Sequence, residues 1–231
     1  MDKCEYHVSN SIPKKGLRKK YEAVFAPFGK FLANTWITPN MISILSVGVS
    51  ICSCIAYSLG PLIGASLGLL VGTFMLGVSS LLDMMDGSLA RAKGIAGHFG
   101  ALLDRTLDRL SEFFFLLGIM IGGYVTPELV FFCFEGMILA SYVRSTAELR
   151  GGLNMDSTKG IFERKEKLTL LAIGCLLEIL IIENIFSGLW SFTNFGILSI
   201  IVLIIGIASN ISAFQRLLYA RDYHATLDIS K

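Results

Sequence analysis

Residues 62–93 read LIGASLGLLVGTFMLGVSSLLDMMDGSLARAK. Leu62–Ser80 holds no charged side chain, and a run of that kind has the ~20 residues a helix needs to cross the hydrocarbon core of a bilayer. It continues into a polar stretch over 83–93 that carries Asp83, Asp86, Arg91 and Lys93. Asp83 and Asp86 stand three apart, a spacing that puts them on one helix face. Charge at a membrane helix is costly, and its default reading is function.

Working outward, five more apolar segments flank this one: roughly Pro39–Leu59, Phe99–Gly123, Pro127–Glu148, Leu168–Ile182 and Phe192–Phe214. Gly60-Pro61 and Gly122-Gly123, the latter just before Pro127, mark breaks between them. In lipid each segment satisfies its own backbone only as a helix, and the alternation of a membrane barrel is absent. Composition agrees. Of 231 residues 53% are hydrophobic and only 16% charged, against ~25% in soluble domains, and mean hydropathy is +0.65. A disordered chain is excluded, and a net charge of +2 gives no reason to expect nucleic acid. The 23 glycines suit close contacts between membrane helices.

All 20 Lys and Arg fall in four clusters: before residue 39, over 91–109, over 144–167 and from 216 onward. With six spans these clusters share one side, and the opposite loops near 60, 124 and 183–191 hold none. By the positive-inside rule that side, with both termini, is cytoplasmic. The expectation is an all-α polytopic membrane protein of the cell membrane. A cytoplasmic or interfacial segment over 1–38 precedes a six-helix domain over 39–216, and a cytoplasmic tail covers 217–231. Basic and apolar residues mix at helical spacing from Lys14 to Phe28, which fits an amphipathic helix lying in the membrane interface; the plainer alternative is a charged tail that only sets topology. No signal peptide is visible in this polar, basic N-terminus.

Cys4, Cys52, Cys54, Cys133 and Cys175 are odd in number and lack metal-like spacing, so they read as small buried hydrophobes. His7, His98 and His224 are too scattered for a metal site.

Asp104 and Asp108 stand four apart at the start of the next segment, again on one face. A short loop joins the two helices, so the pairs can converge. Four carboxylates together repel unless cations neutralise them. Oxygen-only ligands suit hard cations such as Mg²⁺, with Mn²⁺ a possible substitute. Two such ions would balance four carboxylates and clamp a phosphate. The competing reading pairs the aspartates with Arg91, Arg105 and Arg109. Glu112 continues the Asp104, Asp108 spacing, either to tune the site or to pair with a neighbouring helix. Thr38-Pro39-Asn40 reads as a helix start with Pro in the first turn.

From 83 the chain runs Asp-x2-Asp-Gly-x2-Ala-Arg-x8-Gly-x3-Asp-x3-Asp. Its fixed positions are Asp83, Asp86, Gly87, Ala90, Arg91, Gly100, Asp104 and Asp108. This resembles the signature of the CDP-alcohol phosphatidyltransferase family, and Thr38-Pro39-Asn40 resembles a run often found in that family. The resemblance implies six helices, commonly in a homodimer. It implies transfer of a phosphatidyl-type group from a CDP-linked lipid to an alcohol, with release of CMP. It implies a two-metal site on Asp83, Asp86, Asp104 and Asp108, with Asp108 as general base. Gly87, Ala90, Arg91 and Gly100 would surround the cytidine diphosphate. The physics agrees: glycine lets a nucleotide approach the backbone, and Arg91 suits phosphate oxygens.

Three further stretches carry basic residues: Ser141-Tyr142-Val143-Arg144 through Glu148, Gly160 through Leu168, and Gln215-Arg216. Arg144, Lys167 and Arg216 are placed to ring an anionic pocket; cations at cytoplasmic helix ends are also what topology alone requires. The pattern resembles the branch that makes phosphatidylinositol phosphate and archaetidylinositol phosphate. There the corresponding positions hold the phosphate of inositol phosphate. This chain has Lys165 where proline is common and Lys167 where arginine is common, and its loop from Arg150 to Lys159 is slightly long. The implied substrates are CDP-diacylglycerol or CDP-archaeol with inositol phosphate. Glycerol 3-phosphate is the alternative acceptor, and a cation transporter is the alternative class.

Overall fold

The structure, a computed structural model, describes residues 27, 29, 31–95, 97–151, 162–183 and 196–229. Among these, all regular structure is helical. Six long helices follow in order: α1 (Pro39–Ser58), α2 (Ala65–Ala92), α3 (His98–Ile121), α4 (Pro127–Gly151), α5 (Arg164–Ile182) and α6 (Ile197–Ile229), with a one-turn helix at Gly60–Ile63 between the first two. Most of the interfacial stretch expected over 14–28, and most of the loop from Arg150 to Lys159, lies outside the described residues.

Local signals set the helix ends. Thr38 is extended at the start of α1, Pro39 follows it, and the Met41 backbone N–H donates to the Thr38 hydroxyl at 3.3 Å. Gly94 (φ 66°) turns the chain after α2, and Gly123 (φ 75°) turns it after α3. Those backbone angles are open to glycine at little steric cost. At α5 the Glu163 and Glu166 side chains form a reciprocal capping box.

Among the described residues four helices are long and apolar enough to cross a membrane: α1, α2, α4 through Glu148, and α6 through Tyr223. The other two carry more charge, α3 at Asp104, Arg105, Asp108, Arg109 and Glu112, and α5 at residues 164–167 and Glu178. The rest of each packs into the bundle through Phe115, Leu116 and Ile119 on α3 and Leu168, Leu171 and Cys175 on α5. The 28 residues of α2 rise about 42 Å, more than a hydrocarbon core of ~30 Å, so the last turns project beyond it. Helix α6 runs without a break to Ile229, so the expected boundary at 216/217 falls inside a helix.

On α1 the buried face carries Ser43, Ser46, Ser50 and Ser53 among Ile42, Cys54 and Tyr57, while Ile44, Leu45, Ile51 and Ile55 are exposed. Ser79 on α2 donates to the Ser46 carbonyl at 2.9 Å, and Ser53 donates to the Gly72 carbonyl at 2.7 Å. Small residues let such helices approach closely. A Cβ on Gly118 of α3 would lie 2.7 Å from the Cys54 Cα of α1, and one on Gly206 of α6 would lie 3.1 Å from the Cys133 Cα of α4. The Tyr57 hydroxyl, fully buried, sits 3.1 Å from the Thr73 hydroxyl and 3.7 Å from the Cys175 sulfur, linking α1, α2 and α5. Cys54, Cys133 and Cys175 are buried as expected, whereas Cys52 is exposed on the outer face of α1.

One end of the bundle is tied down by Lys93, just past α2. Its ammonium donates to the Thr35 carbonyl at 2.8 Å and the Ile37 carbonyl at 2.7 Å. The segment before α1 is thereby held against the end of α2 that carries Asp83 and Asp86.

Candidate active site

The turn around Gly94 brings the end of α2 beside the start of α3. Carboxylate oxygens of Asp83, Asp104 and Asp108 lie within 4.8 Å of one another, and all three side chains are partly buried. Asp86, one turn beyond Asp83, is oriented differently. It is buried, and its carboxylate accepts from the Ser43 hydroxyl and from the Gly87 backbone N–H, each at 2.5 Å. The structure therefore gathers three of the four motif aspartates. The fourth faces the serine-lined side of α1, where Ser43 offers a donor.

The cation at the centre of the cluster is one for which the sequence suggested no role. Arg164, the first residue of α5, places Nη1 2.6 Å from Asp83 Oδ2 and 2.7 Å from Asp108 Oδ1, with Nε 3.4 Å from Glu112 Oε1. The arginines expected to pair with the aspartates do other things. Arg109 pairs with Glu112 at 2.5 Å, and Arg105 pairs with Glu148 of α4 at 3.1 Å. Glu112 is 1% exposed and shared by two arginines, so of its two readings the structure shows the pairing one. Arg91 is exposed, and its Nη1 lies 3.5 Å from where a Cβ on Gly87 would stand. Ala90 and Gly100 are half-buried, and a Cβ on Gly100 would meet nothing within 4 Å.

The three expected acceptor cations come from three helices. Arg144 on α4 pairs with Glu148 at 2.9 Å. Lys167 on α5 is buried and shares with Glu112 a cavity of about 10 Å³, room for about one water. Arg216 on α6 donates to the Ala140 carbonyl at 2.6 Å. Arg216 lies within Coulombic range of Arg144, Glu148 and Arg109, and Lys167 within range of Glu112, Arg109 and Arg216. The cations thus form one field that meets the carboxylate cluster at Glu112, which lies within range of Lys167 and pairs with Arg164.

Three clustered aspartates with a guanidinium drawn among them make a seat that favours positive charge. The donors are hard oxygens only, a set that fits Mg²⁺, Mn²⁺ or a similar ion better than zinc. The residues present therefore fit a divalent cation.

Comparison with known proteins gives the class. Residues 36–211 match the family model for CDP-alcohol phosphatidyltransferase. The chain is similar to archaetidylinositol phosphate synthase of Pyrococcus horikoshii, 36% identical over 160 residues, covering 69% of this chain and 80% of that protein. It is similar to phosphatidylinositol phosphate synthase of Mycobacteroides abscessus, 28% identical over 222 residues, covering 92% and 90%. Its fold is similar to the crystal structure of Mycobacterium tuberculosis phosphatidylinositol phosphate synthase with CDP-DAG bound, with a TM-score of 0.67, 25% identity, and coverage of 86% of this chain and 94% of that one. The same enzyme in complex with manganese and citrate gives a TM-score of 0.67, 25% identity and coverage of 85% and 88%.

Fold and site together define a membrane phosphotransferase of phospholipid biosynthesis. The chain belongs to the CDP-alcohol phosphatidyltransferase family.

Proposed function

We propose that this enzyme transfers a phosphatidyl or archaetidyl group from a CDP-linked lipid to inositol phosphate and releases CMP. The observation that carries the reading is the Asp83, Asp104, Asp108 cluster, with the cationic field of Arg144, Lys167 and Arg216 beside it. Two arginines and a lysine suit an acceptor that itself bears a phosphate. The relatives named as archaetidylinositol phosphate and phosphatidylinositol phosphate synthases support the same choice.

In this reading all six helices span the plasma membrane, with the aspartates and both termini on the cytoplasmic side. The distribution of Lys and Arg supports that orientation. The protein works as a homodimer, for which its glycine-rich spans leave room. Asp83, Asp104 and Asp108, with Asp86 close by on α2, would hold Mg²⁺, as two ions, with Mn²⁺ able to replace it. Bound there, such ions would supply polarisation of the diphosphate and counter-charge for the departing CMP. Asp108 takes the proton from the acceptor hydroxyl as its oxygen attacks the lipid-side phosphorus. The new phosphorus–oxygen bond forms as the phosphoanhydride bond breaks. Gly87, Ala90 and Gly100 give the nucleotide close access to helix backbone, and Arg91 pairs with its phosphate oxygens. Arg144, Lys167 and Arg216 orient the acceptor by its phosphate.

The test is a competition. Purified protein in detergent is given CDP-diacylglycerol or CDP-archaeol, with inositol phosphate, glycerol 3-phosphate, serine or inositol. CMP release should be fastest with inositol phosphate and low with the unphosphorylated acceptors. Faster release with glycerol 3-phosphate would overturn the acceptor, while no release with any of the four would overturn the reaction.

A further inference from the structure

Resting on the metal site just proposed, we infer that Arg164 is the cluster's internal counter-cation, which closes the carboxylate site in the metal-free protein and must leave when a metal enters. One nitrogen, Nη1, bridges Asp83 Oδ2 at 2.6 Å and Asp108 Oδ1 at 2.7 Å. An octahedral cation bound to those two oxygens would sit about 2.1 Å from each. Nη1 already bridges the two oxygens, so a cation bound to both has to compete with it for them. The guanidinium side chain is 18% exposed, so it is not a surface arginine passing by. Without a cation, three partly buried carboxylates within 4.8 Å would repel one another. Arg164 meets that need in the absence of metal.

The departing arginine has a place to go. Its Nε already lies 3.4 Å from Glu112 Oε1, and Glu112 is 1% exposed. A modest swing keeps that pair while freeing Asp83 and Asp108. The capping box of Glu163 and Glu166 holds the backbone on either side of Arg164, so the swing belongs to the side chain rather than to the helix. Arg164 is thus a positioning residue. It keeps the carboxylates together and competes with the ion they bind.

A competitor inside the protein lowers the apparent affinity for metal by the fraction of time the site is open. Removing it should raise that affinity. The full-length protein in detergent is stripped with EDTA, exchanged into buffer and titrated with Mn²⁺, with free Mn²⁺ read by electron paramagnetic resonance. Arg164→Gln should bind Mn²⁺ about tenfold more tightly than wild type if the closed form outweighs the open one by about ten to one. The metal-free variant should melt below wild type, and Mn²⁺ should raise its Tm by more. Arg164→Lys keeps the charge but loses the fork and should fall between the two. Arg221→Gln, which removes only an exposed pair with Asp222, should match wild type. Equal or weaker Mn²⁺ affinity in Arg164→Gln, with wild type still binding, would overturn the inference. If that variant does not fold, Arg164→Lys decides on the same terms. Absence of Mn²⁺ binding in wild type would overturn the metal site itself and the lock with it.

Discussion

Replacing Arg144 by glutamine separates recognition from scaffolding at the acceptor field. Arg144 Nε lies 2.9 Å from Glu148 Oε1, four residues on along α4, and its side chain is 36% exposed. A pair of that kind contributes about 0.3–0.5 kcal/mol. Glu148 also keeps its second partner, Arg105, at 3.1 Å. The melting temperature in detergent should therefore barely move. A charge-assisted bond to an acceptor phosphate is worth roughly 1.5–3 kcal/mol. At about 1.4 kcal/mol per decade, KM for inositol phosphate should rise by about one to two orders of magnitude. KM for the CDP-lipid should stay close to wild type, and poor unphosphorylated acceptors should be unaffected, because the lost partner is the phosphate. Arg216→Gln gives the contrast. It also loses the bond to the Ala140 carbonyl at 2.6 Å that ties α6 to α4, so stability and acceptor KM should both suffer. An unchanged acceptor KM in well-folded Arg144→Gln would refute the pocket and leave Arg144 as a helix-surface ion pair.

Further outcomes are expected elsewhere. Asp108→Asn should lower turnover by about 10²–10⁴ with CDP-lipid binding retained in calorimetry; lost Mn²⁺ affinity in that variant would make Asp108 chiefly a ligand. Ser43→Ala leaves the buried Asp86 without its 2.5 Å donor and should cost about 1–3 kcal/mol in thermal stability, so an unchanged melt would count against the Ser43–Asp86 bond. Gly118→Val places new carbon where even a Cβ lies 2.7 Å from the Cys54 backbone and should cost at least about 1–3 kcal/mol; wild-type melting would show that α1 and α3 do not meet so closely.

Much of this was legible because membrane physics writes itself into composition. Apolar runs marked the helices, and Thr38-Pro39, Gly60-Pro61 and Gly122-Gly123 marked ends of them. The three- and four-residue spacings put Asp83 near Asp104 and Asp108 once the loop was seen to be short. What stayed hidden depends on which helices become neighbours. Arg164 lies far along the chain from Asp83 and Asp108, and spacing shows only that it shares their end of the bundle. Likewise, Asp86 turns to Ser43 because α1 buries a face of serines, an arrangement that period alone cannot distinguish from an outward polar stripe. Two helices, α3 and α5, are less apolar than the others because the site's own charges fall at 104–112 and 164–167, with Glu178 further along α5. Helix α6 continues past residue 216 because no glycine or proline interrupts residues 207–229, so the end of the apolar run is not the end of the helix.

The most direct measurement of the central claim is CMP release from CDP-lipid and inositol phosphate after EDTA treatment, followed by stepwise return of Mg²⁺. Transfer at the Asp83, Asp104, Asp108 cluster predicts that release falls to background in EDTA and returns with Mg²⁺ or Mn²⁺. It should fail to return in an Asp83→Asn, Asp104→Asn double variant that still folds. Full release in EDTA, or wild-type release from the double variant, would contradict it.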